Sequence, residues 1–580
     1  MAAGEQSGSA ANADARFALA AEAIERNDPL QAQSLYRQIA EEAPSPEDRS
    51  AAWAELSMLL QAQDRIDEAS AAMERALGYR PGDALLNYRA GVQRLHRGEA
   101  EAALDYFNLC LHYSPSFYPA CFGKSNALRA IGRVAEEGEA LRAFLAANPG
   151  HPDAAYALAG WHYGRGDHDA ALALLRPLAA AEPPEPKAAA FLGLIVGREL
   201  GRFEESEQLL RRALAAEPAS SVARCNLGWM LAERGDYEQG MRYLDELLAE
   251  DPQDHQSRLI RGYMNLKRGE FAQGWRDYGA RHHSGFAIPN KFEFPHWDGS
   301  PMPGASLAIL AEQGLGDQIM FASCFSEAMQ RIGRCAIECN PKLVTLYQRS
   351  FPEALVFPAS VEGDAGRIEG FGRPDVQVHM GDLPGFFRNA ANDFPRHRGY
   401  LQPAPQRVAY WREQLARLGP GPKVGVSWRG GVAATRRHLR SMDLGELIKP
   451  FSGQAHLVNL QYGDCTVDLD HCRRATGDAP WHWPAALDDY DETAALVAAL
   501  DLVVSVCTAV VHLSGALGKP VWVLTPAVAE WRYMSAGSSL PWYPSARLFR
   551  QTRAGDWTPV LGAVAEAWIA RQRGVAPSPE

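Results

Sequence analysis

The sequence lacks the features that mark membrane, secreted and metal-bound proteins. No stretch is apolar enough to span a bilayer, and the N-terminus has no basic start followed by an apolar run. Neither a membrane span nor a secretory signal is therefore expected. Nine cysteines are scattered without a Cys-x-x-Cys pair, which favours reduced cytosolic thiols over a disulfide framework or a zinc site. The closest two, Cys335 and Cys339, lie in a strand-like run that favours core packing, and no metal is expected.

An excess of basic residues is also missing. The formal charge of -12 argues against nucleic acid as the main partner, because phosphate binding needs a surplus of Lys and Arg over one face. The hydrophobic content of 47% and charged content of 22% are those of an ordinary soluble protein. We therefore expect a cytoplasmic protein. Because 580 residues are too many for one core, we also expect several compact units.

The first half of the chain contains regularly spaced prolines. They fall 34 to 37 residues apart at Pro44, Pro81, Pro115, Pro149, Pro183, Pro218 and Pro252. Small residues recur at two fixed positions before the prolines, where the two helices of a repeat must touch. The first site holds Ala20, Ser57, Gly91, Ser125, Ala159, Gly228 and Gly262. The second holds Ala32, Ala69, Ala103, Ala171, Ser206, Gly240 and Gly274. This pattern is typical of tetratricopeptide repeats.

A bulky residue follows the second small site by four positions in the same repeats. These residues are Tyr36, Met73, Phe107, Leu175, Leu210, Leu244 and Tyr278. Two positions break the register, because Leu194 and Glu137 stand where a small residue is expected. We predict about eight repeats over residues 13–285, after a flexible N-terminus at 1–12. Such arrays form a superhelix with an extended binding surface, so partner binding is favoured over a purely architectural spacer.

The second half of the chain alternates strand-like and helix-like segments. A connector at 286–304 contains four prolines: Pro289, Pro295, Pro301 and Pro303. The strand-like runs that follow are SLAIL, CAIEC, DVQVHM, VGVSW, HLVNLQ, LDLVVSV and PVWVLT. This alternation predicts two Rossmann-like domains, at 305–401 and 422–575, joined by a linker or helix at 402–421 and followed by a tail at 576–580. Ligands of such sheets bind at the loops after the strands.

The loop after SLAIL carries the first candidate residues. Gly314 and Gly316 permit a tight turn and a close approach of the backbone to a ligand. Asp317 stands at the start of the next helix. It is either a general base or a helix cap, since Asp does both.

Two further loops carry groups suited to phosphate. After LDLVVSV, Thr508 and the backbone N–H groups at the helix start can hold a phosphate. His512 lies one turn further on the same face, as a phosphate contact or as a packed core residue. After VGVS, we expect Arg429 and Arg440 to bind phosphate.

Two other groups near these loops favour a structural interpretation. Arg436 and Arg437, in the basic cluster that contains Arg440, are expected to be solvated charges. The Asp489-Tyr490-Asp491 run matches a metal-binding motif of some sugar transferases. Capping of the helix that follows explains it more simply, and no metal is assigned to it.

These loops resemble a known family. The runs AEQGLGDQIMFA, VGVSWRGG, VVSVCTAVVHLSGALGKPVWVL, EWRYM and PWYPSARLFRQ resemble bacterial proteins that fuse tetratricopeptide repeats to a glycosyltransferase of the GT-B fold. The resemblance extends from the repeats to about Trp557. The catalytic half looks like heptosyltransferase-type family 9 enzymes, and the layout is similar to protein O-GlcNAc transferases and to flagellin-modifying transferases. The implied fold class is an α superhelix (TPR solenoid) followed by an α/β GT-B fold with two Rossmann-like domains.

The resemblance implies roles for individual residues. Asp317 would be the general base, Thr508 and His512 would contact the nucleotide phosphates, and Arg440 would be a phosphate-binding cation. The remaining donor-side candidates are Gly314, Gly316, Trp428, Arg429, Gln461 and Ala509, with Gln313, Cys507 and Trp531 as further candidates. The family usually carries Asp where this chain has Cys507. Because a thiol cannot replace a carboxylate, either the donor differs, which is favoured, or the site is impaired.

The expected function is inverting, metal-independent transfer from a nucleotide sugar to Ser/Thr hydroxyls of a protein held by the repeats, with flagellin as the leading acceptor. No cofactor is expected beyond the nucleotide sugar, for which CMP-linked nonulosonates are among the candidates. Two alternatives stay open: a heptosyltransferase-like enzyme acting on lipopolysaccharide or another glycan, and a non-catalytic adaptor with a decayed GT-B domain. An oligomer formed through the repeats is compatible with the sequence.

Overall fold

The computed structural model describes the backbone of residues 2–283, 294–359, 368–431 and 436–574, with side chains from residue 13 onward. The chain forms two compact units, Met1–Ala188 and Ala189–Glu580, whose boundary falls inside one helix. The predicted tail at 576–580 and residues 286–293 of the predicted connector, including Pro289, lie outside the described residues. No helix in the described part of the chain combines the length and apolar character needed to cross a membrane.

The first unit consists of paired helices. The pairs are α1 (Ala2–Glu25) with α2 (Pro29–Glu42), α3 (Pro46–Ala62) with α4 (Ile66–Tyr79), α5 (Ala84–His96) with α6 (Ala100–Tyr113), α7 (Tyr118–Ala130) with α8 (Val134–Ala147), and α9 (Pro152–Gly164) with α10 (His168–Ala180). The helix α1 begins within residues 1–12, for which the sequence predicts a flexible terminus.

Close contact between paired helices explains the small residues of the repeat. The Ser57 hydroxyl donates to the Ala69 carbonyl at 2.6 Å. A Cβ atom added at Gly91 would lie 2.7 Å from the ring of Phe107, the predicted bulky residue of that pair. These distances leave no room for a larger side chain, so the predicted small and bulky sites are confirmed here.

Glu137, which breaks the predicted pattern, is accommodated by polar partners. Its side chain is buried, and its Oε1 accepts from the Ser125 hydroxyl at 3.0 Å and pairs with the Arg129 guanidinium. The neighbouring residue Gly138 supplies the missing space, because a Cβ there would lie 2.4 Å from Trp161. A buried carboxylate therefore replaces the usual small residue at this helix contact.

The second unit begins with three more helix pairs. They are α11 (Pro186–Leu200) with α12 (Phe203–Ala216), α13 (Ser221–Arg234) with α14 (Tyr237–Glu250), and α15 (His255–Arg268) with α16 (Phe271–Tyr278). The prediction of a small site at Leu194 is wrong by one residue. Gly193 takes that place, because a Cβ there would lie 2.8 Å from Leu210.

Gly240, in α14, lies close against the backbone of α13. A Cβ there would lie 2.4 Å from the Gly228 carbonyl oxygen and 2.8 Å from the Ala232 amide nitrogen, both backbone atoms that cannot move aside. We expect Gly240→Ala to lower the free energy of unfolding by about 1–3 kcal/mol. Gly562→Ala is the matched control, because no described atom beyond its own stretch of helix lies within 4 Å of a Cβ placed there. Thermal unfolding should show a lower Tm for the first variant only, and equal Tm values would contradict the proposed contact.

A four-stranded parallel sheet follows the repeats. Its strands are β1 (Met302–Leu310), β2 (Ile332–Cys339), β3 (Leu355–Pro358) and β4 (Val376–His379), in the order β3-β2-β1-β4. The helices of this region are α17 (Leu315–Phe321), α18 (Phe325–Arg331), α19 (Val344–Ser350) and α20 (Leu383–Phe387). Cys335 and Cys339 are buried in β2, which confirms their predicted place in the core.

A five-stranded parallel sheet forms the end of the second unit. Its strands are β5 (Lys423–Ser427), β6 (His456–Asn459), β7 (Leu502–Val506), β8 (Val521–Thr525) and β9 (Ala546–Arg550), in the order β6-β5-β7-β8-β9. The helices are α21 (Pro405–Ala416), α22 (Leu444–Ile448), α23 (Thr466–Thr476), α24 (Pro484–Asp488), α25 (Tyr490–Ala499), α26 (Ala509–Ala516) and α27 (Thr558–Gln572). Both sheets are parallel, with helices in the connections, so the predicted α/β alternation is confirmed.

Candidate functional site

A pocket of about 320 Å³ joins loops that follow strands of both sheets. One loop follows β1, and the others follow β5, β6, β7 and β8. The lining residues are Arg198, Gly316, Asp317, Gly431, Arg436, Arg440, Tyr462, Cys507, Thr508, Ala509, His512, Glu530, Arg532 and Tyr533. Ligands of parallel α/β sheets bind at such strand ends, so this pocket is the candidate site.

Asp317 is the carboxylate that the first sheet contributes to the pocket. It stands in the first turn of α17, and its Oδ1 pairs with the Arg532 guanidinium. The side chain keeps 17% of its surface exposed. Asp317 is thus brought together with Thr508 and Arg440, the residues that the sequence predicts around it.

The glycines before Asp317 act differently from the prediction. Gly314 and Gly316 do not have positive φ, and the positive φ of this loop falls on Gln313, at 59°. A Cβ at Gly316 would lie 2.9 Å from the His512 ring and 3.4 Å from the Ala509 Cα. Gly316 therefore allows α17 to pack closely against α26, rather than providing the tight turn that the sequence suggests.

Arginines dominate the charge of the pocket. Arg436 is buried and pairs with Glu530, while Arg440 donates to the Cys507 carbonyl at 2.7 Å. Counting the lining residues gives four guanidinium groups, with Arg198 and Arg532, against the two carboxylates of Asp317 and Glu530. The lining carries two excess positive charges, which suits an anionic ligand. The prediction that Arg436 is a solvated charge is wrong, because it is 8% exposed.

The buried charges of the pocket stabilise one another. Burial by itself would raise the pKa of Glu530, but Arg436 and Arg532 hold that pKa well below its usual range. Burial would likewise lower the pKa of Arg532, yet the carboxylates of Asp317 and Glu530 raise it. Both groups are therefore charged at neutral pH.

The start of α26 forms one wall of the pocket. Thr508 is the N-cap residue, and its hydroxyl lies 3.0 Å from the Ser505 hydroxyl. The first-turn N–H groups of a helix have no partner within the helix, so Ala509 and its neighbours present donors and a partial positive charge to the pocket.

His512 lies one turn into α26 and is uncharged at neutral pH. Burial, followed by the nearby Arg532 and Arg440, lowers the pKa of His512 to about 3. Its Nδ1 lies 3.1 Å from the Tyr543 hydroxyl, and its Nε2 lies 3.3 Å from the Tyr533 hydroxyl. The residue is both a packed core histidine and part of the pocket wall, so the two sequence-based interpretations are compatible.

Cys507 is the position at which the sequence resemblance leads us to expect Asp. It is 1% exposed, its thiol points to the Leu524 carbonyl at 3.8 Å, and burial raises the pKa of the thiol to about 12. The residue is therefore neutral at physiological pH. Without a carboxylate here, the excess positive charge of the pocket is larger than it would be with Asp.

Several predicted residues lie outside this pocket. Trp428 and Arg429 line a separate cavity, where Arg429 donates to the Asp464 carbonyl at 2.6 Å and pairs with Asp468 at 3.2 Å. Gln461 is buried, and its Oε1 accepts from the Trp428 and Arg429 amides at 3.1 and 2.8 Å, so it shapes the loop after β5.

Three more candidates pack among aromatic residues or shape the loop after β1. Trp531 is buried, with its ring centroid 5.5 Å from that of Trp275. The Gln313 side chain donates to the Tyr278 hydroxyl. Gly314 precedes α17 with an extended backbone.

The Asp489-Tyr490-Asp491 run has a structural role. Asp489 is the N-cap of α25, where its Oδ1 accepts from the Asp491 amide at 2.8 Å. Asp491 pairs with Arg349 at 2.7 Å. The predicted capping role of Asp489 is confirmed.

Sequence reasoning missed several residues of the pocket. Arg532, Glu530 and Tyr533 follow β8 and lie in the run EWRYM, which carries part of the family resemblance but in which only Trp531 is a predicted site residue. Arg198 comes from α11, in the repeat region, and no local signal connects it to a pocket more than a hundred residues away.

Comparison with known proteins shows that the chain contains tetratricopeptide repeats. Family models described as tetratricopeptide repeat match residues 54–116, 138–195 and 198–261. Protein FlbA of Caulobacter vibrioides is 34% identical over 310 residues, which are 50% of this chain and 51% of FlbA. The chain thus spans about half the length of that relative.

Two other similarities are weaker. An uncharacterized protein of Methanocaldococcus jannaschii, MJ0572, is 40% identical over 52 residues, which are 9% of this chain and 60% of that protein. The crystal structure of a tetratricopeptide repeat protein from Parabacteroides merdae matches with a TM-score of 0.31 and 14% identity, over 47% of this chain and 93% of that one. A TM-score this low supports no further assignment.

Proposed function

We propose that this chain is a glycosyltransferase of the GT-B fold that modifies a protein held by its repeats. The observation that carries the proposal is the shared pocket at the strand ends of both sheets. It brings the Asp317 carboxylate together with the cations Arg436, Arg440 and Arg532 and with the start of α26. A base opposite an anion-binding wall is what transfer from a nucleotide sugar requires.

The cationic wall is suited to the phosphate of the donor. Guanidinium groups bind phosphate oxygens through paired N–H donors, and the start of α26 adds backbone donors. The two excess positive charges of the lining would balance the phosphate or diphosphate of the donor. His512 is neutral and would contribute a hydrogen bond rather than a charge.

The proposed reaction uses Asp317 as the general base. Its carboxylate removes the proton of the acceptor hydroxyl, whose oxygen attacks the anomeric carbon of the sugar. The bond from that carbon to the phosphate oxygen breaks, the phosphate keeps the electron pair, and the configuration inverts. Arg436, Arg440 and Arg532 stabilise the negative charge that develops on the leaving phosphate, so the mechanism does not require a metal.

Arg532 would connect donor binding to the release of the base. Arg532 pairs with Asp317, and its Nε has no hydrogen-bond partner within the described residues. A donor phosphate would compete with Asp317 for this guanidinium. The donor would therefore bind first and leave the carboxylate available for the acceptor.

The proposed acceptor is a protein with Ser or Thr hydroxyls, and flagellin is the leading candidate. Tetratricopeptide repeats present extended binding surfaces, and the sequence resembles flagellin-modifying transferases. Mass analysis of flagellin from cells with and without this chain tests the proposal. A sugar-sized mass difference supports it, whereas altered glycans with unmodified protein would indicate a lipopolysaccharide or other glycan acceptor instead.

Two observations favour a second candidate function, a non-catalytic adaptor. Cys507 replaces the family carboxylate, and Asp317 is engaged by Arg532 rather than available to a substrate. An adaptor would leave both protein and glycan masses unchanged in the same comparison.

Nucleotide binding gives a direct prediction. We expect one of CMP, UDP, ADP and GDP to raise the Tm of the full chain, because a ligand at 100 times its Kd stabilises the folded state by about 2.7 kcal/mol. Arg440→Gln should abolish most of this shift by removing a charge from the pocket. Arg437→Gln is the matched control, because Arg437 is exposed and outside the pocket lining. No shift with any nucleotide, or equal shifts in both variants, would contradict the proposed donor site.

A further inference from the structure

A second cavity lies in the same unit, at the end of β4. Its volume is about 930 Å³, and Trp275, Trp297 and Phe386 supply aromatic walls. His282 and Asp382 also line it. None of the residues that line the Asp317 pocket lines this cavity. The proposed transfer reaction gives this cavity no role.

Three residues next to this cavity have the arrangement of metal ligands. His282 ends the turn after α16, His379 is the last residue of β4, and Asp382 follows it by three positions. One potential ligand atom from each lies within 4.8 Å of the other two. The His282 Nε2 is 3.0 and 3.1 Å from the two Asp382 carboxylate oxygens. These separations allow a single ion to contact all three.

His379 provides the strongest indication. Its side chain is 1% exposed, and its Nδ1 has no hydrogen-bond partner within the described ranges. A buried polar atom without a partner costs about 1–3 kcal/mol. A bound metal ion would supply the missing partner, since an imidazole nitrogen is a common metal ligand.

The charged groups around these three residues favour a cation. The Glu312 carboxylate is buried and that of Asp382 is partly exposed, and Arg281 bridges them through Nη2, which donates to each at 2.7 Å. Two carboxylates therefore face one guanidinium beside the two imidazoles, so a cation would meet an excess of anionic groups. Arg281 also fixes the orientation of Asp382, as outer hydrogen bonds do for metal ligands.

We propose that His282, His379 and Asp382 bind a divalent transition metal ion, with one coordination position open towards the cavity. Two imidazole nitrogens and one carboxylate oxygen are a donor set that Zn²⁺ and related ions favour. Three protein ligands with an open position also leave room for an oxygen atom of a bound molecule.

Metal titration of the full chain tests this proposal. The chain, without a polyhistidine tag and freed of metal by chelator dialysis, is titrated with Zn²⁺ by calorimetry, and Co²⁺ is used as a visible spectroscopic probe. We expect one equivalent to bind, with the Co²⁺ absorption of nitrogen and oxygen ligands. His379→Gln and His282→Gln should each weaken binding by at least about 100-fold, because changes to outer-shell partners alone cost 10–100-fold.

His283→Gln is the matched control, because His283 is adjacent in sequence but stacks on His255 at 4.6 Å, outside the cluster. The partly exposed His282 gives a variant that should fold even if replacement of the buried His379 does not. Absence of stoichiometric binding, or wild-type affinity in folded His282→Gln, would overturn the proposal. Sugar transfer measured with a chelator present tests the proposed function and not the metal site, because the transfer mechanism uses Asp317 and arginines in another pocket.

Discussion

Asp317→Asn is expected to reduce the rate of sugar transfer by a factor of about 10² to 10⁴, the usual contribution of a general base. Asparagine has the shape of aspartate, and its carbonyl oxygen can still accept a hydrogen bond from Arg532. It cannot take the proton of an acceptor hydroxyl. We therefore expect kcat to fall while nucleotide binding, measured by the shift in Tm, is retained.

Asp489→Asn is the matched control for this variant. Asp489 caps α25, and asparagine caps helices about as well as aspartate, so neither activity nor stability should change. Full transfer activity in a folded Asp317→Asn protein would remove Asp317 from the role of base. Loss of nucleotide binding together with activity would instead indicate that the carboxylate positions Arg532 for the donor.

The repeats could be predicted from the sequence because their packing is local. Each helix pair needs a small residue opposite a bulky one at a fixed separation, as with Gly91 and Phe107. Where the pattern fails, other residues meet the same packing requirement. A glycine one position away provides the space near Leu194, and an ion pair accommodates Glu137.

The buried strands were also predictable, while two edge strands were missed. The central strands β5, β7 and β8 are buried along their whole length and read as continuous apolar runs. The strands β3 and β9 are only partly buried: β3 has just four residues, and two of the five residues of β9 are arginines. The other edge strands, β4 and β6, are buried over most of their length and are predicted, so weak burial rather than edge position separates the missed strands from the rest.

The sequence predicts a site residue correctly only where the position of that residue depends on its own loop. The loops after β1 and β7 brought Asp317, Thr508 and His512 together as expected. The burial of Arg436 cannot be predicted locally, because it depends on Glu530, which lies 94 positions away in the sequence. The position of Arg429 is likewise set by distant partners, because Asp464 and Asp468 come from the loop and helix after β6.

His512 gives the second large prediction, a change in the pH dependence of stability. An unfolded histidine has a pKa of about 6.5, and in the folded protein burial, Arg532 and Arg440 lower the pKa of His512 to about 3. Between these two values the unfolded chain binds a proton that the folded chain does not. The contribution of neutral His512 to the free energy of unfolding is therefore fully present above pH 6.5. It falls as the pH decreases, by up to about 1.4 kcal/mol per pH unit.

We expect His512→Gln to lose this dependence. From pH 7 to pH 4 its free energy of unfolding should decrease by about 3 kcal/mol less than that of the wild type. Urea titrations followed by tryptophan fluorescence would measure this, since all tryptophans except Trp53 and Trp161 lie in the second unit. His471→Gln, on the exposed surface of α23, is the control and should keep the wild-type slope.

The same measurement bears on the donor site. If His512 is neutral in the folded protein, the charge that holds a phosphate comes from Arg436, Arg440 and Arg532, and His512 supplies only a hydrogen bond. Equal slopes for the wild type and His512→Gln would mean that the folded protein also protonates His512 in this range. The histidine would then add a positive charge to the pocket as the pH falls, and donor affinity should rise with acidity instead of depending on the arginines alone.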